Sequence, residues 1–190
     1  FPIQVTWDAP EGVKFTEFKW PVPVALDVGG VMNFVFEDTA HLLTTVTVPD
    51  TLTGDTFTIN MSADWLVCKE ICIPESVDIS FDLPISDTNS SANATTFKQA
   101  YDALPTPYTG NVSVVEENGV ASFTFNSNPF EGTDNIFFFS HDWGFVKAGS
   151  LATVAETTGK TIFSFPRTDR GLSELSTLSG VISQNRKGIS

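Results

Sequence analysis

Cysteine is nearly absent from this 190-residue chain: there are two, Cys68 and Cys72, and the two histidines, His41 and His141, lie far from them in sequence. Two sulfurs with no neighbouring imidazole leave half of a tetrahedral zinc site empty, so no metal is expected. Cations are scarce as well, ten Lys and Arg against 23 Asp and Glu, for a formal charge of −13. That balance repels a phosphate backbone and argues against nucleic acid as a partner. The acidity reads instead as solubility and as a bias on which protein surfaces the chain meets. No apolar run approaches the roughly 20 residues that a membrane helix needs. The chain opens on Phe1-Pro2-Ile3 with no secretory signal pattern, as a mature or trimmed chain would. What it has in quantity is aromatic and aliphatic mass: 17 Phe and 41% hydrophobic residues, enough for one large or two small domains.

The two cysteines sit between two stretches of strict alternation. From Phe57 to Val67 the odd positions are apolar (Phe57, Ile59, Met61, Ala63, Trp65, Val67) and the even ones polar, with Leu66 out of pattern. After the cysteines the same parity returns in Val77, Ile79, Phe81 and Leu83. Side chains alternate between the faces of a strand, so each stretch predicts a strand with one core face and one solvated face. A hairpin folded about Glu70 pairs 68 with 72, 64 with 76 and 61 with 79, matching apolar to apolar and polar to polar. One residue of slip would turn the whole apolar set into water. Both cysteines then carry the parity of the solvated face. Opposed Cβ atoms lie roughly 4.5–5.5 Å apart in an antiparallel pair, close to the reach of a disulfide. Pro74 argues against a helix running on from Cys72. A bond closing so short a loop contributes only about 2 kcal/mol in the chain-entropy model. By residue type alone it is either a structural cross-link or an exposed, exchangeable pair.

The stretch Trp65-Leu66-Val67-Cys68-Lys69-Glu70-Ile71-Cys72-Ile73-Pro74-Glu75-Ser76 resembles the active-site hairpin in the periplasmic part of the DsbD-like thiol:disulfide interchange proteins. Its three-residue spacing between cysteines resembles the suppressor of copper sensitivity protein B (ScsB) branch more than the best-known DsbD proteins, which have five. Phe1-Pro2-Ile3-Gln4-Val5-Thr6-Trp7, Trp20-Pro21-Val22-Pro23, Val28-Gly29-Gly30-Val31-Met32-Asn33, Asp142-Trp143-Gly144 and Leu178-Ser179-Gly180-Val181 fall in the order that family shows. The resemblance implies a periplasmic module that takes electrons from a membrane-embedded donor domain of the same polypeptide, or from a thioredoxin-like one. It would then reduce thioredoxin-fold partners without any cofactor. Cys68 and Cys72 would be the catalytic pair, with Cys72 forming the mixed disulfide and Cys68 resolving it. The opposite charges of Lys69 and Glu70 leave the order of attack open from the residues themselves. Phe34 and Phe36 occupy the position of an aromatic cap, in a Phe-Val-Phe where the ScsB branch commonly shows Tyr-Gly-Tyr. Trp65, Lys69 and Glu70 flank the cysteines. The competing expectation is a tandem β-sandwich binding or adhesion module whose disulfide is structural.

The rest of the chain predicts an all-β protein of two immunoglobulin-like β-sandwich domains joined by a polar linker with a short helix. Strand candidates every 8–12 residues place the cysteine-bearing sandwich at 1–86. Pro21 and Pro23 hold the following segment at a sheet edge or outside it, and Asp27-Val28-Gly29-Gly30 is a turn or bulge. A strand is expected from His41 to Val48. Residues 87–107 form the linker, with a helix whose stripe of Phe97, Ala100, Tyr101 and Leu104 is expected to pack against a domain, capped by Thr96 and Gln99 and stopped by Pro105. The second sandwich, 108–190, is announced by a hairpin about Asn118-Gly119 and another about Thr158-Gly159. Consecutive Phe137-Phe138-Phe139 imply a strand buried on both faces or at a domain interface. His141 has no serine or metal partner placed by sequence and is expected to be a satisfied turn histidine, and His41 has no role.

Overall fold

The computed structural model describes residues 3–68, 71–86, 93–142 and 144–190. Lys69, Glu70 and Trp143, named above, lie outside the described residues, as does most of the polar stretch at the start of the linker. Among the described residues the chain is all-β apart from one helix and a single 3-10 turn, and it folds as two compact units that interleave in sequence.

The first unit comprises residues 1–18 and 43–94. Its main sheet has the order β1-β6-β7, from strands β1 (Gln4–Asp8), β6 (Thr56–Cys68) and β7 (Cys72–Pro84), all antiparallel. A second sheet pairs β2 (Lys14–Phe15) with β5 (Val46–Thr47). Only that short strand forms in the stretch expected to run from His41 to Val48, although Leu43 is buried. Trp7 of β1 stacks on Phe15 of β2 with ring centroids 4.3 Å apart, tying the two sheets together. Phe57, Ile59 and Ala63 are buried on β6, as their parity predicts.

Parity fails in one respect. Val77 and Ile79 share the apolar face of β7 yet are 36% and 42% exposed, and Phe81 and Leu83 are only half-buried. The reason is the extent of the opposing layer. β7 is the edge strand, hydrogen-bonded to β6 alone, and the second sheet is two strands of two residues each. A 13-residue ribbon offers more apolar surface than so small a layer covers.

The second unit comprises residues 19–42 and 95–190. A four-stranded sheet runs β11-β12-β9-β8, from β8 (Ser113–Glu117), β9 (Val120–Phe125), β11 (Thr153–Thr157) and β12 (Lys160–Pro166). Facing it is a sheet β10-β13-β14, from β10 (Ile136–Ser140), β13 (Gly180–Gln184) and β14 (Lys187–Ile189). Both predicted turns are in place. Asn118 (φ 50°) and Gly119 (φ 76°) take the left-handed conformations that a type I′ hairpin turn requires. Ala121, Phe123 and Phe125 of β9 and Phe163 and Phe165 of β12 meet Ile136 and Phe138 of β10 and Ile182 of β13 in one buried cluster, which makes this unit a sandwich.

The aromatic triplet explains where residues 19–42 go. Phe138 points into the sandwich core, while Phe139 packs with Val22 and Val181 on the other face of the same strand. That outer face is covered by a hairpin of β3 (Val24–Val28) and β4 (Val31–Val35), turned at Gly29-Gly30, where Asp27 Oδ1 accepts from Gly30 N at 2.7 Å. Both prolines precede β3, which pairs with β4 in a two-stranded sheet and so lies at a sheet edge, as expected. The division of the chain thus differs from the expected boundaries at 86 and 108, since a segment from the first half completes the second unit. The helix α1 (Ala94–Asp102) starts two residues before the expected cap, and only Ala100 of its stripe is buried. Phe97 and Tyr101 are exposed, contrary to expectation, because the helix makes its contact through a small residue.

Candidate functional site: the cysteine hairpin

The β6–β7 ribbon has the register that parity dictates: Met61 opposite Ile79, Asp64 opposite Ser76, and Cys68 opposite Cys72 at the tip. The two sulfurs are bonded, with Cα atoms 4.0 Å apart, and both cysteines are exposed. Around them Val67, Ile71 and Ile73 also face solvent, Ile71 being 72% exposed. A protein thiolate can reach this bond without any rearrangement of a core. Among the described residues, the pairing of β1 with β6 reaches Asp64, four residues short of Cys68.

Register also defines what shares a face with the sulfurs. Below the Cys68–Cys72 pair come Leu66 opposite Pro74, then Asp64 opposite Ser76, Ser62 opposite Asp78, Asn60 opposite Ser80 and Thr58 opposite Asp82. Leu66, the residue out of pattern in the sequence, is therefore one half of an apolar step directly beneath the disulfide. Ser62 Oγ donates to Asp78 Oδ1 at 2.6 Å, Thr58 Oγ1 donates to Asp82, and Asn60 donates to Asp8 of β1. A shallow depression of about 170 Å³ opens here, lined by Asp64, Trp65, Leu66, Pro74, Glu75 and Ser76. The sequence reading named Trp65 among these and missed the rest. The signal was present, since folding about Glu70 already sets Leu66 against Pro74.

The structure brings Cys68, Cys72 and Trp65 together on one ribbon. Phe34 and Phe36 belong to the other compact unit. There Phe34 meets Phe139 edge-on at 4.8 Å, Phe36 stacks on Trp20 at 5.5 Å, and the neighbouring Glu37 pairs with Arg186. His141 sits in a turn with its Nδ1 at 3.2 Å from Ser179 Oγ, the satisfied histidine that was expected. Among the described residues, no three His, Cys, Asp or Glu side chains converge as a metal site would require, and no helix is long and apolar enough to cross a membrane.

Residues 1–84 match the family described as the N-terminal part of the thiol:disulfide interchange protein DsbD. No curated protein matches the chain. Among solved structures, the N-terminal periplasmic domain of ScsB from Proteus mirabilis shares the fold, with a TM-score of 0.59, 16% identity, and coverage of 100% of this chain and 76% of that one. The exposed Cys68–Cys72 disulfide lies within the residues that resemble a thiol:disulfide interchange domain. More narrowly, residues 1–84 are similar to the DsbD N-terminal family, and the chain as a whole takes the fold of that ScsB domain.

Proposed function

We propose that the Cys68–Cys72 pair is the reacting centre of a periplasmic protein-disulfide reductase that relays electrons to thioredoxin-fold proteins. The observation that carries this reading is the exposure of both bonded cysteines at the end of a ribbon whose buried residues are Phe57, Ile59 and Ala63. In the loading half-reaction a donor thiolate attacks one sulfur of the bond, forming a mixed disulfide, and the donor's second thiol displaces it. The donor leaves oxidised; Cys68 and Cys72 leave as a dithiol. In the delivery half-reaction the Cys72 thiolate attacks the partner's disulfide, the partner's other sulfur leaves as a thiolate, and Cys68 then attacks Cys72 of the mixed disulfide. Two electrons and two protons have passed to the partner, and the Cys68–Cys72 bond is restored. No cofactor enters either half. The donor, by resemblance, is a membrane-embedded or thioredoxin-like domain, and Phe34 and Phe36 are cap candidates on the same ground, with Trp65, Lys69 and Glu70 as flanking residues.

A trapping experiment tests the reading. Cys68→Ser leaves Cys72 as a lone nucleophile and should accumulate a mixed disulfide with an oxidised thioredoxin-fold protein, whereas Cys72→Ser should accumulate far less. If neither variant captures a partner, the relay is wrong and the bond is a structural cross-link in a binding module.

A further inference from the structure

The site has a surface as well as a bond, and the surface has a sign. None of the three strands of the main sheet contains a Lys or Arg. Asp8, Asp64, Asp78 and Asp82 all project from the face that carries the sulfurs, and all are exposed. Asp8 accepts from an amide and Asp78 and Asp82 from hydroxyls, which leave the charge uncompensated, and no ion pair among the described residues involves this face. Between the acids and the disulfide lie Leu66 and Pro74 on the same face, lining the depression with Asp64 and Ser76 and with Trp65 and Glu75 of the opposite parity. At about 3.3 Å per residue, Asp64 is about 13 Å and Asp78 about 20 Å below the tip, within the footprint of a docked protein.

We infer that this depression and its carboxylates form the docking surface for the exchange partner, and that the partner it fits presents its reactive cysteine beside a small apolar patch rimmed by Lys or Arg. The inference rests on the relay reading and adds the chemistry of the other side. Two features of the ribbon select that occupant. The apolar step is continuous with the bond being exchanged, so any protein whose sulfur reaches Cys68–Cys72 also covers Leu66 and Pro74. Removing water there leaves Asp64 and Glu75 at the edge of the contact, where an opposite charge accelerates encounter and a like charge opposes it.

Reduction of the oxidised protein by two cysteine peptides, one Lys-flanked and one Glu-flanked, tests this. Each peptide is compared across protein variants, so its own thiol pKa cancels. For the Lys-flanked peptide at low salt, Asp64→Asn/Glu75→Gln/Asp78→Asn should slow the second-order rate about tenfold, within the range of electrostatic steering. The loss should shrink below about twofold at 0.5 M salt, where screening is nearly complete over these distances. Glu117→Gln/Glu131→Gln/Asp169→Asn, which removes the same charge from exposed positions of the second unit, should stay within about twofold of the parent, because it lowers the net charge equally without touching the face that carries the sulfurs. Leu66→Ser should slow both peptides. Equal slowing by the two triple variants, or none by the first, overturns the docking inference while leaving the exchange chemistry intact. Failure of a neutral thiol such as dithiothreitol to reduce the bond under native conditions overturns the relay reading itself.

Discussion

Removing the Cys68–Cys72 bond should cost the first unit about 2 kcal/mol. The bond closes a loop of five residues, for which the chain-entropy relation gives roughly 2 kcal/mol at 25 °C. The ribbon beneath is held by thirteen opposed residue pairs, from Thr56–Pro84 to Cys68–Cys72, and by buried Phe57, Ile59 and Ala63, none of which depends on sulfur. By linkage the same free energy appears in the redox equilibrium. Folding favours the disulfide over the dithiol by that amount, which lowers the potential by about 45 mV relative to the unfolded chain. Denaturant unfolding of the oxidised protein and of Cys68→Ser/Cys72→Ser, with the two units fitted as separate transitions, measures the first quantity. Equilibration against glutathione measures the second. A stability loss above about 4 kcal/mol, or a potential below about −300 mV, would refute the reasoning and mark the bond as a structural staple.

Three further outcomes follow from the packing. Ile59→Ala should destabilise the first unit by about 2–5 kcal/mol, because Ile59 is wholly buried, whereas Ile79→Ala on the exposed face of β7 should cost less than about 1 kcal/mol; similar losses would contradict the edge-strand account. Gly180→Ala should cost the second unit about 1–3 kcal/mol by the same unfolding measurement, since a Cβ there would stand 2.4 Å from the Phe139 carbonyl oxygen and 2.7 Å from the Phe138 ring. Gly119→Val should cost about 1–2 kcal/mol through the left-handed φ of 76°, while Asn118→Gly should fall within about 0.5 kcal/mol of the parent.

Much of the site was legible before any coordinates. Alternation from Phe57 to Leu83 specified two long strands, and matching their apolar positions left one register, with the cysteines opposed on the solvated face. The Asn118-Gly119 and Thr158-Gly159 turns were equally plain, since a glycine supplies the left-handed conformation at 119 and at 159 and an asparagine tolerates it at 118. Less was legible at the end of the chain. β13 and β14 turn at Asn185 and Arg186 (φ 48° and 67°), a pair that lacks the glycine by which such turns are usually recognised. The acidic docking face was hidden for another reason: each carboxylate looked like an ordinary solvated position until register gathered them beneath one disulfide.

The sequence by itself determined the ribbon, its register and the parity of its sulfurs, because side-chain alternation is a local consequence of strand geometry that no distant contact can change. Only the tertiary structure decided which apolar faces are covered. Val77 and Ile79 stay exposed because the opposing sheet is too small to reach β7, and residues 19–42 join the second unit because Val22 and Phe34 pack on Phe139, more than a hundred residues away. Covering a face depends on what another part of the chain brings to it, and alternation along a strand carries no record of that.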